Sequence, residues 1–378
     1  MSKKKIVFLT GTRAEFGKQK SLIKAALELK KFKVYIFVTG MHLLRRYGMT
    51  ANEILKCGYK NIFLYRNQKR YDLMDAILAN TIEGFSRYVH QIKPDFIVVH
   101  GDRVEALAGA VVGSLNNILV AHIEGGELSG TVDELLRHAI SKLSHIHLVA
   151  NKQARGRLIQ MGENRNSIFV IGSPDIDIIE SQKLKEIGFV KRYYDIDFDE
   201  YAILIFHPVT TEIDDIPRQA KNLVEAVLES GLNYVVIYPN NDSGSSLIIQ
   251  AYQKFRNKKK IRLFSSLRFE YFLVLLQHAT FIIGNSSSAI REAPYYGVPT
   301  VNIGSRQNGR ALSKEIIHCG YAKEDILEAI QQARVKKIRK DRHFGRGNSS
   351  MLFMKLLNSG LFWRIGKQKL FQDLQYEG

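Results

Sequence analysis

The stretch Asp95–His145, DFIVVHGDRVEALAGAVVGSLNNILVAHIEGGELSGTVDELLRHAISKLSH, reads as two buried strands, each followed by acidic residues and then a helix. Asp95–His100 is a β-rich apolar run closed by Gly101, Asp102 and Arg103, and the alanine-rich Val104–Leu115 has helical spacing. Ile118–His122 repeats the pattern. It ends at Glu124, Gly125, Gly126 and Glu127, before a second helix that opens with Thr131, Asp133 and Glu134. In open parallel α/β sheets ligands bind outside the carboxyl ends of the strands, which gathers Asp102, Glu124 and Asp133 around one crevice. Three carboxylates at one mouth point to proton transfer. An acid in a first helical turn is also an ordinary cap, held by free amides and the helix dipole. The glycines beside Glu124 argue for a ligand, because they let the backbone approach one closely.

Outward from this stretch the alternation continues. Lys5–Thr10 is a first strand, closed by GTRAEFGKQK, and Ser21–Leu29 is a helix. The turn is neither a Walker A loop nor a G-x-G-x-x-G turn, so an NAD or ATP site loses support. Arg13 and Lys18 put two cations at this strand's mouth, where a helix amino terminus favours anions such as phosphate. Val34–Val38 is a second strand ending in TGMHLL, which makes His42 a candidate ligand contact or a structural histidine. Ile62–Leu64, a long helix over Leu73–His90, and strands at His147–Ala150 and Ile168–Ile171 complete a parallel, doubly wound sheet.

The second half shows the same pattern. YAILIFHPVTTE is a strand with a polar mouth that includes His207, and Val235–Pro239 ends at Asn240, Asn241 and Asp242. Phe281–Gly284 runs into NSSSAIREAP, where Ser286, Ser287 and Ser288 precede a helix and could hold a phosphate with its amides. Arg291 and Glu292 follow one turn on, and Thr300–Ile303 leads to Arg306 and Arg310. The expected fold class is therefore α/β, with two doubly wound domains that, facing one another, would form a central cleft. Their expected limits are 1–172 and 173–347, with a helix and basic tail over 348–378 crossing back to the first domain.

At 378 residues and 45% hydrophobic content the chain can bury two cores. A net charge of +18 raises nucleic acid as a partner, but RNA-binding signatures and zinc-finger spacings are absent, and the charge reads as a solvated basic surface. Two isolated cysteines give neither a disulfide scaffold nor a zinc site and fit a reducing cytoplasm. No apolar run approaches a membrane span, so a soluble, cytoplasmic protein is expected.

Five motifs together carry a family resemblance: GTRAEFGK (11–18), HGDRVEALA (100–108), HIEGGELSGTVDELLRHAISKLSH (122–145), GNSSSAIREAP (284–294) and GSRQNGR (304–310). They resemble, in order and over nearly the whole chain, the hydrolysing nucleotide-sugar 2-epimerases of sialic-acid and related nonulosonic-acid synthesis. The resemblance implies that both domains are Rossmann-like, in the two-domain arrangement of one large glycosyltransferase class, with a UDP-sugar bound between the domains, no cofactor or catalytic metal, and a homodimer or homotetramer. It implies loss of UDP from UDP-N-acetylglucosamine to give 2-acetamidoglucal, then addition of water to give N-acetylmannosamine. By motif match Asp102, Glu124 and Asp133 are the acid/base group, with Glu134 the rival of Asp133 and His207 a diphosphate or catalytic contact. Arg13, Lys18, Arg103 and Arg306 suit the leaving diphosphate, Ser286 and Ser287 the nucleotide, and Glu292 the ribose hydroxyls. HPVTTE and the pair Ser287–Ser288 favour the hydrolysing branch over the non-hydrolysing one. Competing readings are the UDP-diacetamido-sugar enzyme of legionaminic-acid synthesis and, from another class, a glycosyltransferase of the same architecture.

Overall fold

A computed structural model describes residues 3–69, 72–181, 184–307, 309 and 314–373; Arg310 lies outside these. The chain divides into two compact units, one of residues 1–127, 133–181 and 343–378, the other of 128–132 and 182–342.

The first unit holds a seven-stranded sheet: β1 (Lys4–Thr10), β2 (Phe32–Val38), β3 (Ile62–Leu64), β4 (Phe96–His100), β5 (Leu119–Ile123), β6 (Ile146–Val149) and β7 (Ile168–Val170). Its order is β3-β2-β1-β4-β5-β6-β7, and every pair is parallel. Strand periodicity explains why these segments are apolar throughout. Ile6, Phe8, Phe96 and Val98 enter one buried layer with Leu22, Phe353 and Leu357, while Val7, Leu9, Ile97 and Val99 enter the other with Phe85, Tyr88 and Val112. Both faces are thus covered by helices, and charge is left to the strand ends.

The boundary falls later than the expected 172, because the Pro174–Ile179 helix packs on the Arg13–Glu28 helix of the first unit. The Asp177 carboxylate accepts the amides of Ser349 and Ser350 at 2.8 and 2.6 Å, capping the Ser349–Asn358 helix of the same unit. Beyond it Trp363 stacks on Phe32, with ring centroids 5.6 Å apart, and Lys369 donates to the carbonyls of Lys142 and Ser144 at 2.8 and 2.7 Å. The tail thus packs on the first unit as far as Lys369.

The second unit holds β8 (Ala202–Ile205), β9 (Tyr234–Ile237), β10 (Ile261–Phe264), β11 (Ile282–Gly284), β12 (Thr300–Ile303) and β13 (Ile317–Cys319), ordered β10-β9-β8-β11-β12-β13 and parallel throughout. Leu204, Phe206, Val236 and Ile283 meet Leu223, Val224, Ile326 and Ile330 of the flanking helices in its core. Both sheets have the doubly wound order in which the chain first winds outward on one side and then on the other. The reversal points lie between β1 and β4 and between β8 and β11, where such sheets take ligands. Gly284 makes the second reversal feasible: its φ is +130°, and a Cβ there would lie 1.9 Å from the carbonyl oxygen of Ile205. Among the described residues no helix is long and apolar enough to cross a membrane.

Candidate active site

At the first reversal point the charges are organised by a residue the sequence reading passed over, Arg137. It lies one helical turn after Asp133 on the Val132–Leu143 helix, and none of its side chain is exposed. It pairs with Asp102, donates to the Glu124 carbonyl oxygen at 2.9 Å, and stands 4.0 Å from the Glu124 carboxylate. Burial works against its charge, but the carboxylates of Asp102, Glu127, Glu124 and Asp133 outweigh it and raise the guanidinium above its ordinary pKa. Three of the expected acids are thus gathered around one cation. Glu134 instead pairs with the half-exposed His138 at 3.0 Å. The helix therefore separates the two rival acids: Asp133 lies in the field of Arg137, and Glu134 is on the flank.

Glu124 meets charged or titratable neighbours from three elements. One oxygen lies 3.2 Å from Lys18 Nζ and 3.3 Å from His100 Nε2, all three side chains being buried. Its φ is +73°, a left-handed backbone that a non-glycine residue rarely adopts, and such strain concentrates at functional positions. Gly126, two residues on, also has φ +73°, and a Cβ there would meet the carbonyl oxygen of Ala154 at 2.2 Å. Gly126 thus lets the chain pass close against the Ala154 backbone. His122 ties β5 to the turn after β4, donating from Nε2 to the Gly101 carbonyl at 2.7 Å with Nδ1 3.0 Å from the Ser141 hydroxyl. Burial pushes its pKa down to about 3.

The turn after β1 is held by a capping box between Thr12 and Glu15, in which Glu15 also accepts the Gly11 and Thr12 amides at 2.7 and 3.1 Å. Burial, opposed by Arg103 and assisted by Glu105, lifts the Glu15 carboxyl to about 7. Arg13 pairs with Glu53 at 2.8 Å and Arg103 with Glu105 at 3.3 Å. His42 is wholly buried between the Thr10 and Thr50 hydroxyls, at 3.1 and 2.6 Å, and burial followed by Arg13 lowers it to about 3. That is the setting of a packed neutral histidine.

The second reversal point is tied by Asn285. Its side chain accepts the His207 amide at 2.6 Å and donates to the His207 carbonyl at 2.9 Å, clasping the ends of β8 and β11 together. Its own carbonyl accepts from Arg306 at 3.1 Å and from Gln307 at 2.9 Å. The Asn240 amide donates to His207 Nδ1 at 3.0 Å, which fixes the neutral ring with its proton on Nε2. Asn240 in turn bonds Asp242. The hydroxyls of Ser286 and Ser288 share a hydrogen bond of 2.9 Å, Ser287 is the half-buried cap of the Ser288–Tyr296 helix, and Glu292 is buried within that helix.

Two doubly wound sheets with polar, strand-end clusters at their reversal points define a two-unit α/β architecture with a candidate ligand site in each unit. The sequence profile described as UDP-N-acetylglucosamine 2-epimerase matches residues 24–358, and the chain belongs to that family. It is 48% identical over 375 residues to a UDP-N-acetylglucosamine 2-epimerase of Neisseria meningitidis serogroup B, covering 98% of this chain and 99% of that one. It is 36% identical over 363 residues to the hydrolyzing UDP-N,N'-diacetylbacillosamine 2-epimerase of Legionella pneumophila, covering 94% and 96%. Its fold matches the crystal structure of the Methanocaldococcus jannaschii UDP-GlcNAc 2-epimerase in complex with UDP-GlcNAc and UDP, with a TM-score of 0.79 at 23% identity over 94% of this chain and 99% of that one.

Proposed function

We propose that this chain is a hydrolysing UDP-N-acetylglucosamine 2-epimerase, taking UDP-N-acetylglucosamine and water to N-acetylmannosamine and UDP and so feeding sialic-acid synthesis. A carboxylate removes the proton from sugar C2 while the C1–O bond to the diphosphate breaks, its electron pair leaving with UDP and a C1–C2 double bond forming. Water then adds its oxygen at C1, and a proton enters C2 from the opposite face. Asp102, Glu124 and Asp133 are the groups that move these protons. Arg13, Lys18, Arg103 and Arg306 offset the charge of the leaving diphosphate, and His207, Asn240, Ser286, Ser287 and Glu292 serve the nucleotide.

The observation that supports this reading most directly is the Arg137 cluster, which collects acids and cations at one strand mouth where a proton and an anionic leaving group must be handled together. The hydrolyzing Legionella relative supports the hydrolysing branch. It also supports a second reading, in which the substrate is UDP-N,N'-diacetylbacillosamine.

The test is proton NMR of the protein with UDP-N-acetylglucosamine in deuterated water. Free N-acetylmannosamine carrying deuterium at C2, together with UDP, is the expected product. Turnover of the diacetamido sugar alone selects the second reading. Formation of UDP-N-acetylmannosamine with UDP still attached contradicts the hydrolysing branch.

A further inference from the structure

The Pro174–Ile179 helix carries two acids with different fates. Asp177 caps the Ser349–Asn358 helix, whereas Asp175, two residues earlier, is turned inward and has none of its surface exposed. Its neighbours Pro174, Ile176 and Ile178 are buried too, and a carboxylate is costly in such surroundings unless a cation answers it. A carboxylate oxygen of Asp175 lies 4.0 Å from Lys18 Nζ. Lys18 Nζ is in turn 3.2 Å from Glu124. One buried ammonium therefore stands between two carboxylates, one at the strand mouth and one behind it.

We propose that Asp175 is a positioning residue that acts through Lys18, holding the ammonium from behind and drawing off part of its charge so that Glu124 remains able to take up a proton. The inference rests on reading the Arg137 cluster as the proton-moving group. Glu124 is faced by Lys18 from the Arg13–Glu28 helix, by His100 from β4 and by Arg137 from the Val132–Leu143 helix. Arg137 is already answered by Asp102, with Glu127 and Asp133 in its field. On the Lys18 side, Asp175 is the acid that plays the corresponding part. Without it more of the charge of Lys18 would bear on Glu124, and a carboxylate so clamped is a poor base.

The experiment titrates the carboxyl carbon resonance of Glu124 by 13C NMR in the full-length protein, assigned by its loss in Glu124→Gln. In Asp175→Asn the midpoint is expected about one pH unit or more below that of the wild type, a tenfold change in proton affinity. In a Lys18→Met background the same substitution should move it by less than half as much. Equal midpoints in wild type and Asp175→Asn overturn the proposal, and so does an equal displacement with and without Lys18. Asp175→Ser is the second variant should the first not fold. The kinetic arm expects kcat to fall about tenfold with KM within about threefold, and the acid limb of the pH profile to move down. A fall in kcat with an unmoved limb marks a structural role and overturns the proposal. A wild type that turns over neither sugar overturns the functional reading alone, since the carboxyl titration needs no turnover.

Discussion

At the reversal point of the first sheet the side chains are charged and answer one another, Arg137 to Asp102 and Lys18 to Glu124. At that of the second, Asn285 clasps the His207 backbone, and the charged groups Arg306 and Asp242 bond neutral amide groups of Asn285 and Asn240. The two sheets have the same strand order, so topology does not account for the contrast. Topology sets where a side chain can meet a ligand, and the residues that follow each strand set what the meeting can do. On the proposed function the first mouth moves protons and the second holds the nucleotide, and each can be broken separately.

The largest effect is expected at Arg137. Arg137→Met leaves several carboxylates without their common cation, and breaking a buried pair from one side costs about 3–5 kcal/mol. Urea unfolding should show that loss together with the loss of turnover. Acid is expected to act next. His42 and His122 are held neutral by burial, with pKa values near 3 against an ordinary 6.5, so the unfolded chain takes up protons that the folded one refuses. Stability is therefore lost as pH falls below 6.5. Glu15, raised to about 7, binds its proton more tightly when folded and partly offsets the loss between pH 7 and 4.5. These three groups together contribute a fall of about 2 kcal/mol from pH 7 to pH 5, and the fall read from urea midpoints should shrink in His42→Gln.

In the second mouth, Asn285→Ala strips partners from the His207 amide and carbonyl and should cost about 1–2 kcal/mol, with the UDP affinity falling too. A stability loss without any change in UDP affinity would erase the contrast between the mouths. Glu134→Gln is expected to do least. Its partner His138 is exposed, such pairs contribute about 0–1 kcal/mol, and turnover should stay within about twofold of wild type. Loss of turnover there would transfer to Glu134 the part given to Asp133.

The sheets were legible because buried parallel strands are apolar on both faces and end abruptly at glycines and charges. The two edge strands of the second unit's sheet, β10 and β13, escaped. IRLF follows a run of lysines and IHC is three residues long, and as edge strands neither needs the continuous apolar run that gives a central strand away. The acids of the first mouth could be read from their positions after β4 and β5. Arg137 could have been found from its spacing, four residues after Asp133 on an amphipathic helix, but an arginine on a helix ordinarily faces water. Asn285 and Asp175 gave weaker signals still. One looks like the start of a serine-rich turn and the other like a cap next to a proline, and their work shows once the chain brings His207 and Lys18 beside them.

The most direct test of the division between the mouths is the affinity of the Asp102→Asn variant for UDP, measured by titration calorimetry beside the wild type. The account predicts UDP binding within about threefold of wild type while turnover falls by about 10²-fold or more. Loss of UDP affinity in step with turnover, in a variant that remains folded, would contradict it.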